Sequence, residues 1–363
     1  MNFYLPTKIY TEKNCVLNHS KELASYGKKA FIITGSTSSR VNGSLDDVIT
    51  ALTKESISYE IYDQVEENPS IETVMDAAAK GIKENIDFVI GIGGGSPLDA
   101  AKAIALMIRN PLEHSDILYQ KKPFHSLPVI AIPTTAGTGS EATPYAILTL
   151  HSEQTKRSIS HRIFPELALI DYSYLRTVPQ TILINTAVDA LGHLIESYIN
   201  VNATDYSKML CDYGFHLWGS VKHTLLTHPT NDRELECLMT ASTIAGMAIT
   251  HTGTSLPHGM SYSLTYADQI PHGKAVGIFL SSYLKESGDN ESMNHIINLL
   301  GFSDYTVFDD FLHNLLGDVT ISPSQVERDI TGMMNNKLKL ANCPYPVTAH
   351  VLDKIYSTSV VIK

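Results

Sequence analysis

The chain has 363 residues, 43% of them apolar and 8% aromatic, enough for more than one packed core. Only 18% are charged, which excludes a heavily solvated, disordered chain. The 27 basic residues are outnumbered by 38 acidic ones, and a net charge of −11 argues against nucleic-acid binding, which needs Lys and Arg to neutralise phosphates. The four cysteines, Cys15, Cys211, Cys237 and Cys343, form no CxxC pair and read as reduced thiols. No basic-then-apolar leader opens the sequence, and no run reaches the roughly 18 apolar residues of a membrane helix. A cytoplasmic protein is expected, with neither nucleic acid nor membrane among its partners.

From Lys28 to about Asp171, short β-branched runs alternate with helical stretches, a βαβ rhythm. Ala30 to Ile33 reads as a buried strand, and Leu45, Val48, Ile49 and Leu52 then recur at helical spacing. A second strand spans Ser58 to Tyr62. Asn68-Pro69-Ser70 resembles a helix start, with Val74, Ala77, Ala78 and Ile82 facing inward. Phe88 to Ile92 is a third strand, and it runs into the turn Gly93-Gly94-Gly95. The next helix carries an apolar stripe of Leu98, Ala101, Ala105 and Ile108, and a further strand covers Pro128 to Ile132. Such crossovers predict a parallel sheet with ligands at the carboxyl ends of its strands. After about Leu175, helical patterns take over from Ile182 to Ile199 onward. The expected division is an α/β domain over residues 1–177 and an all-α domain over 178–363.

Three turns follow strands in the first half. Gly91 to Asp99 joins strand to helix, where glycines let a backbone approach a ligand and free N–H groups attract phosphate. Pro133 to Glu141 offers hydroxyls beside small residues. Two such loops on neighbouring strand ends suggest a nucleotide. The turn after the first strand, Thr34 to Arg40, bears on which one. NAD sites place an acid near the adenosine ribose, whereas NADP sites offer hydroxyls, N–H groups and Arg. No acid occurs from Thr34 to Gly43. NADP(H) is therefore favoured over NAD(H), with Gly35, Ser36, Ser39 and Arg40 around the 2′-phosphate.

In the second half, Asp189 and His193 lie four residues apart and so project from one helix face. His258-Gly259 and Pro271-His272-Gly273 add two more imidazoles in segments marked by Gly and Pro. One oxygen and three nitrogens suit a borderline divalent ion, Fe²⁺ or Zn²⁺, better than Mg²⁺ or Ca²⁺. The other histidines, His251 among them, read as surface or structural residues.

These residues carry a resemblance. GGGSPLDAAKAIA (Gly93 to Ala105), IPTTAGTGSEAT (Ile132 to Thr143), DALGHLIESY (Asp189 to Tyr198) and the paired HG and PHG segments make the chain similar to the iron-containing (group III) alcohol dehydrogenases over essentially its whole length. The resemblance implies an N-terminal Rossmann-like, dehydroquinate synthase-like α/β domain, a helical metal domain and an active-site cleft between them. It assigns the metal ligands to Asp189, His193, His258 and His272. Pyrophosphate-binding positions fall on Gly94, Gly95, Ser96 and Asp99, nicotinamide and ribose contacts on Thr134, Thr135, Thr138 and Lys156, and a further cofactor contact on Asn68. Gly35 stands where many members carry an acid, which resembles the NADP-using branch. Tyr262 replaces a second histidine four residues after the third ligand, so the proton relay is assigned to Tyr262, the ribose hydroxyl or water.

The implied reaction is hydride transfer between NADP(H) and a small to medium alcohol or aldehyde, with Fe²⁺ (or Zn²⁺) as Lewis acid. A homodimer is expected, through the strand Pro6 to Tyr10. Candidates for the substrate pocket are Leu256, Tyr262, Leu264 and Phe279. The alternatives are a dehydroquinate synthase-like lyase or cyclase, disfavoured because no Lys/Arg cluster accompanies the ligand segments, and a non-catalytic metal-binding protein on the same scaffold.

Overall fold

The structure, a computed structural model, describes residues 2–153, 155–229 and 231–363. It divides into two compact units, Leu5–Pro179 and Gln180–Lys363, the latter joined by the few residues before Leu5.

The first unit is built on a six-stranded parallel sheet: β1 (Lys8–Thr11), β2 (Lys29–Thr34), β3 (Ser58–Tyr62), β4 (Phe88–Gly93), β5 (Val129–Pro133) and β8 (Leu167–Ile170), in the order β1-β8-β5-β4-β2-β3. Strand alternation splits its side chains between two cores. Phe31, Ile33 and Val89 pack on one face with the helices α2 (Ile71–Lys83) and α3 (Gly95–Arg109). Ala30, Ile32, Phe88, Ile90 and Ile92 pack on the other with α1 (Ser44–Lys54), through its Leu45, Val48 and Leu52. Ser70 caps α2 by accepting from the Thr73 N–H at 3.2 Å. The inward face of α2 closes with Gly81 rather than the expected Ile82, which is 37% exposed.

Two features depart from the expected order of elements. A hairpin of β6 (Ile147–Leu150) and β7 (Thr155–Ser158) follows the turn Pro133 to Glu141, and β8 inserts between β1 and β5. Leu167 to Ile170 is too short to show a period, and its assignment as a strand depends on partners distant in sequence.

The second unit is helical, with α4 (Gln180–Tyr198), α5 (Asp205–Val221), α6 (Asp232–Thr252), α7 (Leu256–Ala267) and α8 (His272–Gly277) around its centre. It is not wholly α: Thr320–Ile321 and Val361–Ile362 form a two-residue parallel pair. From Ala187 to Tyr198, α4 is buried on every side. The start of the chain, expected with the α/β domain, packs here instead: the Tyr4 N–H donates to His251 Nε2 at 3.1 Å and the Phe3 ring stacks on His251. Among the described residues, no helix is long and apolar enough to cross a membrane.

Candidate metal centre and dinucleotide turns

In the helical unit, α4 presents Asp189, His193 and Glu196 at intervals of four and three residues, hence on one face. His258 stands in the first turn of α7, and His272 opens α8. Asp189 Oδ1 lies 3.2 Å from His258 Nε2, 3.6 Å from His272 Nε2 and 3.9 Å from His193 Nε2. Asp189, His258 and His272 each offer a ligand atom within 4.8 Å of the other two. His193 stands apart from that mutual group, its ring stacked on His258 at 4.4 Å between centroids. The approach of α8 to α4 requires glycine: a Cβ on Gly273 would lie 1.7 Å from the Asn185 carbonyl oxygen.

Burial alone would push the Asp189 carboxyl up, but the imidazoles of His193, His272 and His258 outweigh it and hold the group below the ordinary carboxylate range. Burial likewise works against protonated His258, while the Glu196 and Asp189 carboxylates raise it to about 9. Two buried carboxylates facing several imidazoles are a donor set that fits a divalent cation, because ligand atoms about 3–4 Å apart can each reach a common point about 2.1 Å away.

Sequence reading missed Glu196, which is fully buried. Its Oε1 accepts from the Ser255 N–H at 2.7 Å, and its Oε2 is bonded by His258 Nδ1. That bond keeps a proton on Nδ1, so Nε2 is the ring nitrogen that would be free to meet a cation. The available signal was its place three residues after His193. His251 is structural: its Nδ1 bonds the Met247 carbonyl at 2.8 Å and its Nε2 takes the Tyr4 N–H. Of the pocket candidates, Leu256, Leu264 and Phe279 are fully buried, whereas Tyr262 is half-buried with its ring against His272, centroids 6.4 Å apart.

In the α/β unit, β2, β4 and β5 are neighbours, so the turns after them share one edge of the sheet. The glycine turn and the Thr-rich turn are in contact: a Cβ on Gly94 would lie 3.0 Å from Thr135 Oγ1, and one on Gly95 2.7 Å from Thr138 Cγ2. Asn68, in the left-handed region at φ 57°, donates its N–H to Ser96 Oγ at 3.0 Å and accepts from Lys156 Nζ at 2.8 Å. Burial lowers Lys156 to about 8. Thr134 is buried and donates its N–H to the Gly93 carbonyl.

Other expected contacts are turned inward. Asp99 accepts from Ser140 Oγ at 2.6 Å and from the Ile147 N–H at 2.9 Å, so it ties the hairpin to α3. The fully buried Lys102, also missed, donates to Ser140 and to the Tyr145 carbonyl and completes that tie. Ser39 is fully buried, which removes its side chain from the surface where a 2′-phosphate would sit. Ser36 is exposed beside Gly35 and bonds Thr37. Arg40 is exposed but pairs with Asp63 at 2.8 Å. An acid does reach this turn, from the end of β3.

Residues 6–172 match the family profile described as iron-containing alcohol dehydrogenase, and residues 183–332 match that of the Fe-containing alcohol dehydrogenase family, C-terminal. The chain is 35% identical to an iron-containing alcohol dehydrogenase from Thermotoga maritima whose crystal structure superposes with a TM-score of 0.93, with 99% of each chain covered. It is 30% identical to an NADPH-dependent butanol dehydrogenase of Clostridium saccharobutylicum, over 78% of this chain and 74% of the relative. Aldehyde-alcohol dehydrogenase 2 of Entamoeba histolytica is 31% identical over 79% of this chain, but the match spans only 34% of that longer protein. With both halves matched and the fold shared from end to end, the chain belongs to the iron-containing alcohol dehydrogenases, oxidoreductases that act on CH–OH groups.

Proposed function

We propose that this chain is a metal-dependent alcohol dehydrogenase or aldehyde reductase that moves a hydride between NADP(H) and a small to medium alcohol or aldehyde. The observation that carries the reading is the convergence of three histidine Nε2 atoms on Asp189 Oδ1. His193 is the fourth ligand, beside Asp189, His258 and His272. When bound, Fe²⁺ or Zn²⁺ supplies Lewis acidity toward a carbonyl or alcohol oxygen. Glu196 holds His258 in the coordinating tautomer, and Tyr262, against His272, is the residue placed to pass the proton that accompanies hydride transfer.

The dinucleotide's pyrophosphate rests on the N-terminus of α3, at Gly94, Gly95 and Ser96, with Asp99 and Lys102 securing that turn from below. Asn68, Thr134, Thr135, Thr138 and Lys156 serve the nicotinamide half. Gly35, Ser36 and Arg40 favour the 2′-phosphate, for which Arg40 exchanges its partner Asp63; Ser39 supports the turn from beneath. The edge strand β1 is the surface through which two copies form a homodimer. A panel of alcohols and aldehydes assayed with NADPH and NADH, after loading with Fe²⁺ or Zn²⁺, tests the reading. Turnover with kcat/KM higher for NADPH supports it; an NADH preference above about tenfold refutes the cofactor assignment.

A further inference from the structure

Lys339 is a buried cation near the metal centre that none of the roles above employs. It lies in α9 (Lys337–Asn342) and is 9% exposed. Its aliphatic stem runs beside the first turn of α7, where a Cβ on Gly259, the residue after His258, would be 3.2 Å from Lys339 Cγ. The ammonium donates to Thr254 Oγ1 and stands 5.6 Å from the centroid of the Tyr262 ring, the ring that stacks on His272. His272, the ring against Tyr262, is the most exposed of the four ligands, with 33% of its side chain accessible.

An ammonium has three donors. Among the described residues, Thr254 Oγ1 is the one oxygen that accepts from Lys339, and no carboxylate pairs with it. Charge leads to the same place. The carboxylates of Asp189 and Glu196 balance a divalent ion, and coordinating imidazoles are neutral. Glu196 feels the Lys339 charge, but once both carboxylates balance the ion Lys339 adds one positive charge that no carboxylate contacts, and a buried charge without a contacting counterion is unfavourable.

We propose that Lys339 recognises an acid group on the substrate, so that the preferred aldehydes are short chains ending in a carboxylate or comparable oxyanion. This rests on the metal-centre reading above. The acid group takes up the remaining ammonium donors and neutralises the site, whereas an aliphatic tail leaves them unpaired.

The test compares straight-chain aldehydes of about three to five carbons that end in a carboxylate with the matching primary amides, in the metal-loaded wild type and in Lys339→Met and Lys339→Gln. A buried charge-assisted hydrogen bond predicts a wild-type preference for the acid of about 10- to 100-fold in kcat/KM, carried by KM, and its collapse in both variants. A second readout needs no metal: calorimetric binding of 3-hydroxypropionate to the metal-free protein, expected to weaken at least about tenfold in Lys339→Met. Equal kcat/KM for acid and amide in the wild type, or a preference that survives both substitutions, overturns the proposal and leaves the dehydrogenase reading standing. Failure to turn over any aldehyde refutes that reading instead. The metal-free measurement still decides the acid site, since binding that is undetectable, or equal in Lys339→Met, overturns it.

Discussion

Replacing Glu196 with Gln changes one atom in a site with no spare hydrogen-bonding capacity. The Ser255 N–H, 2.7 Å from Oε1, can only donate, so it selects the amide oxygen of Gln. The amide NH₂ then faces His258 Nδ1, which must become an acceptor. The ring proton moves to Nε2, the nitrogen 3.2 Å from Asp189 Oδ1 and the one that must be bare to coordinate. The reverse orientation sets two donors against each other at Ser255, a buried mismatch of about 1–3 kcal/mol. Either way metal affinity falls, by about 10- to 100-fold, or ~1.4–2.7 kcal/mol. Competition against a chelator for Fe²⁺ or Zn²⁺ measures this, and thermal unfolding of the metal-free protein serves as the control. Glu196→Gln should unfold cooperatively near the wild-type temperature and hold metal weakly. Wild-type metal affinity in a folded Glu196→Gln protein refutes the argument that this carboxylate sets the tautomer.

Three further expectations follow from named contacts. Lys156 titrates at about 8 in the folded chain against 10.5 for an ordinary lysine, so between those values the unfolded state binds more protons and this group's contribution to stability rises with pH. NADPH affinity should move the opposite way, falling above about pH 8 as the charge is lost; fluorescence titration that shows the same pH dependence in Lys156→Met removes Lys156 from the cofactor site. Gly95→Ala places a methyl 2.7 Å from Thr138 Cγ2, and the displaced turn should weaken dinucleotide binding about tenfold or more, while undiminished affinity in equilibrium dialysis separates that turn from the ligand. Tyr262→Phe should lower turnover about 100-fold and alter its pH profile if the hydroxyl carries the proton. Unchanged turnover and profile exclude it.

Periodicity alone made much of the first unit legible. Ser58–Tyr62, at the sheet edge, is a strand with the predicted ends, and Phe88–Gly93 extends the predicted strand by one residue, its fully buried run being the continuous apolar kind expected of a central parallel strand. The paired strands Ile147–Leu150 and Thr155–Ser158 and the strand Leu167–Ile170 were not legible, since four-residue strands are defined by what they pair with. The same distinction separates Asp189 and His193, joined by helical spacing, from Ser39, whose polarity suggested a ligand contact but whose backbone turn buries it. An acid was absent from the turn after β2 in sequence, yet Asp63 arrives there across the sheet.

What the sequence determined by itself was everything with a short repeat: the alternation of the strands, the helix faces, Asp189 and His193 one turn apart on α4, and the glycine-marked turns. Only the tertiary structure decided that His258 and His272 meet Asp189, that Glu196 closes on His258 Nδ1, and that Lys339 lies buried beside Tyr262. These contacts join residues separated by up to 83 positions, and their geometry is set by how closely helices pack, which no local pattern encodes.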